Sequence, residues 1–172
     1  VIDGGSEDGS IEKIDFKELK VNTLIVMKDF GRLGSQLRIG YFFAMMLRYK
    51  GVITIDGNDK DDPKDIPTFI DLLNQGYDFI QGSRFIKGGS HENTPLIRYL
   101  AIRFIHAPLL SLASGFYWTD TTQGFRAYSQ NFILSKKIGI FRSEFISYEL
   151  LFYLSYIAPK KNFKCIETPS KR

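Results

Sequence analysis

At 172 residues, 44% of them hydrophobic and 24% charged, the chain is long enough for one domain with a real core and too apolar for disorder. A net charge of +4 suits anionic ligands or an anionic membrane surface, and with no basic run interleaved with aromatics it argues against nucleic acid. The single cysteine, Cys165, rules out an internal disulfide and makes a reducing compartment the default. No signal peptide and no uncharged apolar run of membrane-spanning length is visible.

The chain opens on Val1-Ile2-Asp3-Gly4-Gly5, which reads as the tail of a strand entering a turn, and ends at Lys171-Arg172 just after a strand-like stretch. The expectation is one domain over residues 1–172, incomplete at both ends. Residues 23–27, β-branched and apolar, predict a buried strand. Gly31 to Ser35 form a glycine-containing loop, and the spacing of Leu37, Tyr41, Ala44 and Met45 predicts a largely buried helix over 36–49. Residues 52–55 predict a second buried strand, followed at once by the acidic run Asp56-Gly57-Asn58-Asp59-Lys60-Asp61-Asp62. Pro63 suits the first turn of a helix with Asp62 as its cap, and Gly76 closes that helix. Residues 77–81 predict a third strand, ending in Gly82-Ser83-Arg84. In the second half, 96–112 is apolar with Arg98, Arg103 and His106 spaced through it and Pro108 breaking it. A polar loop, 118–126, an aromatic-rich helix over 141–156 and a strand around 163–166 complete the chain.

Strands alternating with helices over short links imply crossover units and a parallel, doubly wound α/β sheet. Ligands of such sheets sit beyond the carboxyl ends of the strands, where Asp3, the acidic run and Gly82-Ser83-Arg84 all fall. Carboxylates directly after a buried strand can hold Mg²⁺ or Mn²⁺ while a diphosphate supplies further oxygens. Capping of the next helix is the favoured account of Asp61 and Asp62, and solvation or the helix dipole is the plain account of Asp59 and Asp65. Asp56 abuts the strand and lies too early to cap. Asp3 with Gly4 and Gly5 reads either as a plain turn or as a carboxylate facing a nucleotide base with backbone approaching closely. The loop with Gly31 and Gly34 reads as a phosphate-receiving helix start or as a tight link. Arg84 and Arg126 suit bidentate phosphate contact in one shared anionic pocket, or pairing with a local carboxylate. His91 and His106 read as structural, and Cys165 as core.

Taken together, these segments resemble glycosyltransferase family 2, particularly its dolichol-phosphate (polyprenol-phosphate) mannosyl- and glucosyltransferase branch. Val1 to Ser10 is similar to that family's VVDDGSTDGT. Ile53 to Pro63 is similar to its TLDADGQHDP, Gly82-Ser83-Arg84-Phe85 matches its GSRF, and Asp120 to Tyr128 is similar to its DTTSGFRAF. The matches run in order over nearly the whole chain. The resemblance implies a GT-A-type fold, with a Rossmann-like, mostly parallel sheet, flanking helices and no first strand, and an inverting transfer from a UDP- or GDP-sugar. It puts Asp3, Gly4, Gly5, Gly31, Gly34, Asp56, Gly57 and Arg84 on the nucleotide-sugar. Asp56 and Asn58 hold the metal, Asn58 standing where the family has its second aspartate. Arg126 acts on phosphate together with Arg84, and 96–112 lies as an interfacial helix on the cytoplasmic face of a membrane, with a core helix as the rival reading.

A polyprenyl phosphate acceptor needs little general base, whereas a hydroxyl acceptor needs one, for which Asp120, backed by Glu149, is the candidate. The rival functions are a nucleotidyltransferase on a similar sheet and a non-catalytic nucleotide-sugar binder.

Overall fold

A computed structural model describes residues 1–28, 32–92 and 94–172. The apolar runs become strands, their bounds shifted by one to three residues from those expected. β1 (Ile2–Asp3) pairs in parallel with β2 (Ile25–Val26). α1 (Leu33–Met46) leads into β3 (Gly51–Thr54). The Asp62 carboxylate accepts from the Lys64 N–H at 3.0 Å and so caps the 3₁₀ turn Pro63–Asp65, which leads directly into α2 (Ile66–Asn74). Gly76, at φ +84°, ends that helix where a side chain would be strained, and β4 (Phe79–Ser83) follows.

The second half holds the corrections. Arg126 is not the end of a loop but the first residue of β5 (Arg126–Ser129), inserted antiparallel between β3 and β4. The sheet order is β3-β5-β4-β6, with β6 (Cys165–Pro169) parallel to β4, so β3, β4 and β6 share one direction. The result is an α/β fold with a small sheet that runs mostly one way.

Alternation along the strands explains why the sheet is covered on both faces. Phe79 and Tyr128 point to one face, where they pack with Tyr41 of α1, Phe132 of α5 (Gln130–Leu134) and Leu154 of α6 (Glu149–Lys160). Ile80 and Ala127, their neighbours in sequence, point to the other and pack with Phe69 of α2 and with Phe125. α6 starts at Glu149 rather than near 141, because the Glu149 carboxylate collects the N–H groups of Ile146 and Ser147 and stops the helix from extending backwards.

Pro108 does not break its helix either. α3 (Leu96–Ala101), a wide π-type turn (Ile102–His106) and α4 (Ala107–Ser114) run on as one 19-residue helix. The wide turn lies directly before Pro108, and such a turn accommodates a residue that lacks an N–H and crowds the preceding carbonyls. By length and composition this helix could cross a membrane. Leu96, Ile97, Phe104, Leu109 and Leu112 on it are exposed, so it is not a core helix of this chain.

Cys165 is core. Its thiol donates to the Phe163 carbonyl at 3.3 Å, and burial pushes its pKa up to about 12. The thiolate is the reactive form, so at pH 8 an aromatic disulfide reagent should label the native protein at least ~100-fold more slowly than the urea-unfolded chain. Labelling at the unfolded rate would show that the thiol is not held this way.

Candidate functional site

Because β5 runs against its neighbours, its amino end lies at the carboxyl edge of theirs: Arg126 is in register with Thr54 of β3 and Gln81 of β4. The loop before β5 is thereby delivered to the edge that carries Asp56. Thr54 Oγ1 donates to the Gly124 carbonyl at 2.9 Å and fixes that approach. A Cβ on Gly124 would come within 3.0 Å of Asp56 Cγ, so glycine lets the carboxylate lie against the loop where any side chain would push it aside.

Beside them opens a cavity of about 760 Å³ between β1, α1 and β3. Ile2, Tyr41 and Val52 are among its apolar walls, and Asp56, Gly57 and Asn58 form its polar end. The Asp56 side chain is 32% exposed and its Oδ2 lies 3.4 Å from Arg172 Nη2. Arg172 Nη1 also lies 3.7 Å from Asp61 Oδ1, which accepts from Gln123 Nε2 at 2.9 Å. Burial raises the Asp61 pKa, against the opposing pull of Gln123 and Arg172. Asn58 is exposed, with Oδ1 accepting from the Lys60 N–H at 3.2 Å. Among the described residues no cluster of three or more His, Cys, Asp or Glu stands ready for a metal.

Arg84 and Asp120 meet each other. Arg84 Nε donates to Asp120 Oδ2 at 2.6 Å and Nη2 to Oδ1 at 3.0 Å, in a bidentate pair whose side chains are 4% and 0% exposed. Thr122 Oγ1 accepts from the same Nη2 at 2.9 Å. Behind the pair, Glu167 of β6 accepts from the N–H groups of Thr119 and Asp120 at 2.8 and 2.9 Å and from the Thr119 hydroxyl at 2.7 Å. Burial raises the Glu167 pKa, opposed by those donors. A carboxylate on each side thus clamps the loop, Glu167 by its backbone and Asp120 through Arg84.

Arg126 is wholly buried and spends its donors on neutral oxygens: the Gln123 carbonyl at 3.0 Å, Leu151 and Thr121 carbonyls at 2.8 Å, and Ser155 Oγ at 3.2 Å. The expectation that Arg84 and Arg126 face one open anionic pocket is therefore corrected. Both start at the right edge, but Arg126 joins the strand to α6 and Arg84 holds Asp120. For the same reason Asp120 is not presented as a general base, and Glu149 is bound up with the turn before α6.

The Asp3 carboxylate turns into its own loop, accepting from the Gly5 and Ser6 N–H groups, each at 2.9 Å, and from the Ser6 hydroxyl at 2.6 Å. The Ser6 hydroxyl is the main cause of its lowered pKa. Gly5, at φ +89°, is required by that turn, in which Gly4 also lies. Gly34 packs against the 145–147 backbone, a Cβ there meeting Ser147 O at 2.6 Å, so the close link accounts for the glycine. Gly31 lies outside the described residues. His106 is half-buried on Thr121 and Phe152, with its pKa lowered by burial, in keeping with a structural role.

No family model matches the chain. It is 29% identical over 170 residues to an uncharacterised protein of Methanocaldococcus jannaschii, covering 96% of this chain and 67% of that one. It is 25% identical over 174 residues to the polyprenol monophosphomannose synthase of Mycolicibacterium smegmatis, covering 98% of this chain and 64% of that enzyme. A third relative, the dolichyl-phosphate hexose transferase of Haloferax volcanii, is 37% identical over 82 residues, 48% of this chain and 35% of the relative. The chain thus spans about two thirds or less of the length of these relatives.

Proposed function

We propose that the chain belongs to a glycosyltransferase of the family 2 type, moving a sugar from a UDP- or GDP-sugar to a polyprenyl phosphate at a membrane surface, with inversion. The observation that carries this reading is the Asp56 carboxylate just after β3, lining the 760 Å³ cavity and lying against the backbone of Gly124. The names of two relatives support the acceptor class.

In this reading the donor lies across the cavity, and Asp56, Gly57 and Asn58 face its diphosphate. An acceptor phosphate oxygen attacks the anomeric carbon from the side opposite the diphosphate, forming the new C–O bond as the old one breaks. The phosphate is already ionised, so the step needs no general base, which agrees with Asp120 being shut into its pair with Arg84. Oxygen donors are what Mg²⁺ and Mn²⁺ take, so Asp56 with Asn58 fits either ion. Bound there, the ion supplies charge neutralisation for the departing diphosphate. The test is transfer from each UDP- and GDP-sugar to polyprenyl phosphate in vesicles, with Mn²⁺. Binding of a nucleotide-sugar without transfer would favour the non-catalytic binder, and no binding at all would overturn the reading.

The membrane completes the proposal. The flank of Leu96–Ser114 that carries Ile97, Phe104 and Leu112 is exposed, with Arg98 and Arg103 on the same helix. Crossing a bilayer would put Arg103 near the middle of the hydrocarbon, at ~2.5–3.5 kcal/mol on the lenient scale, whereas Arg98 lies close to the helix end. Lying flat lets them reach headgroups while the apolar flank enters the acyl boundary, on the cytoplasmic face where donor sugars are supplied. The protein should float with anionic liposomes at low salt. Leu100→Asp and Phe104→Asp, at residues 43% and 71% exposed, should stay folded and lose flotation. Flotation unchanged in both would exclude this helix as the contact.

A further inference from the structure

The Arg172 guanidinium reaches two carboxylates at once, Asp56 at 3.4 Å and Asp61 at 3.7 Å. Both separations are longer than the ~2.7–2.9 Å of a direct charge-assisted hydrogen bond, so it is a loose counter-ion and not a clamp. The backbone beneath it is fixed nonetheless. The Arg172 N–H donates to the Ser90 carbonyl at 3.1 Å, its carbonyl accepts from the Glu92 N–H at 2.7 Å, and the Lys171 carbonyl accepts from the Asp62 N–H at 3.3 Å. The guanidinium is thus brought to this place by a tethered chain, and only its two long contacts to carboxylates hold the charged end there.

Asp61 is the unusual member. Its side chain is 0% exposed, its Oδ1 is held by Gln123, and among the described residues its Oδ2 has no hydrogen-bond partner. A buried carboxylate oxygen without donor or close cation is costly, and the cost falls when a cation comes to it. Gln123 is itself held by Ser170, whose hydroxyl donates to Gln123 Oε1 at 2.9 Å, so the carboxylate is oriented from behind and cannot easily turn to solvent. Capping does not account for Asp61, since the cap of the following turn is Asp62.

We infer that Asp56 and Asp61 together form a divalent-cation site, and that Arg172 is its internal stand-in, neutralising the pair in the absence of metal and turning aside for the metal to enter. The inference deepens the proposed function, since the ion would be the one facing the donor diphosphate. The two carboxylates and their shared guanidinium nevertheless stand whatever the donor is. All-oxygen ligation suits Mg²⁺ or Mn²⁺, and a resident guanidinium makes the site weaker than its two carboxylates alone would be.

The test uses Mn²⁺ alone, with free Mn²⁺ read by electron paramagnetic resonance and the thermal midpoint read with and without the ion. Arg172→Ala should bind Mn²⁺ about tenfold more tightly than the native protein, and Mn²⁺ should raise its midpoint further, because a competing charge is gone. Arg172→Lys, which keeps a cation, should stay near native. Asp61→Asn keeps the oxygen that Gln123 needs and should bind at least about tenfold more weakly. If Asp61→Asn does not fold, the two Arg172 variants decide. Unchanged Mn²⁺ affinity in Arg172→Ala, or no Mn²⁺ binding by any variant, would overturn the inference. Sugar transfer is measured separately: transfer with Mn²⁺ affinity indifferent to Arg172 and Asp61 leaves the proposed function standing, and the reverse pattern leaves only the metal site.

Discussion

Arg84→Ala should destabilise the protein by about 3–5 kcal/mol, because it strands the fully buried Asp120 carboxylate without its cation. For a chain of this size that is a fall in thermal midpoint on the order of 10 °C. The penalty comes from the orphaned charge, and so a paired Arg84→Met, Asp120→Leu variant should recover most of it, as apolar replacement of buried ion pairs often does. Urea unfolding of both variants checks the point. A phosphate ligand open to solvent would behave in the opposite way, losing transfer at nearly native stability. A loss under about 1 kcal/mol for Arg84→Ala would therefore return Arg84 to the role expected from its GSRF motif.

That motif shows what sequence does and does not carry. Residues 52–55 and 77–81 stand out as strands because each is a short β-branched or aromatic run bounded by glycines and polar turn residues, and Asp62-Pro63 stands out as a helix start because the chemistry of a cap is local. The strand at Arg126–Ser129 escapes such reading. It is short, it opens with a charge, and its pairing partners lie on β3 and β4, far away in sequence. Its antiparallel insertion is what brings Gln123 and Gly124 to Asp56, so the position of the 118–126 loop could be expected only from the resemblance. Residue types alone marked Arg84, Arg126 and Asp120 as chemically active, but partners decide whether a charge is offered to a ligand or spent inside. Asp120 takes Arg84, and backbone carbonyls take Arg126. For Glu167, inside an ordinary strand, and Arg172, after one, the sequence holds no signal beyond their charge.

Asp56 is the counter-case, a charge the fold leaves available, and its replacement should separate activity from stability. The side chain is 32% exposed and its ion pair to Arg172 is 3.4 Å long. Pairs of that kind contribute ~0–1 kcal/mol, so Asp56→Ala should unfold within about that margin of the native protein. Its chemical role in the proposed reaction is larger. Without this carboxylate the departing diphosphate loses both an anchor for its cation and the orientation that follows from it, together several kcal/mol of barrier. Transfer should fall at least ~100-fold. Asp56→Asn, which keeps shape and one oxygen acceptor, should fall less than alanine but remain well below native. Gly124→Ala approaches the same group from the other side: the added methyl would meet the Asp56 carboxylate, so it should lower transfer by displacing a group it does not replace. Initial rates with a nucleotide-sugar and polyprenyl phosphate, measured beside urea midpoints, decide the matter. Near-native rates in Asp56→Ala would remove Asp56 from the chemistry, and a matching collapse of stability would make it a structural residue instead.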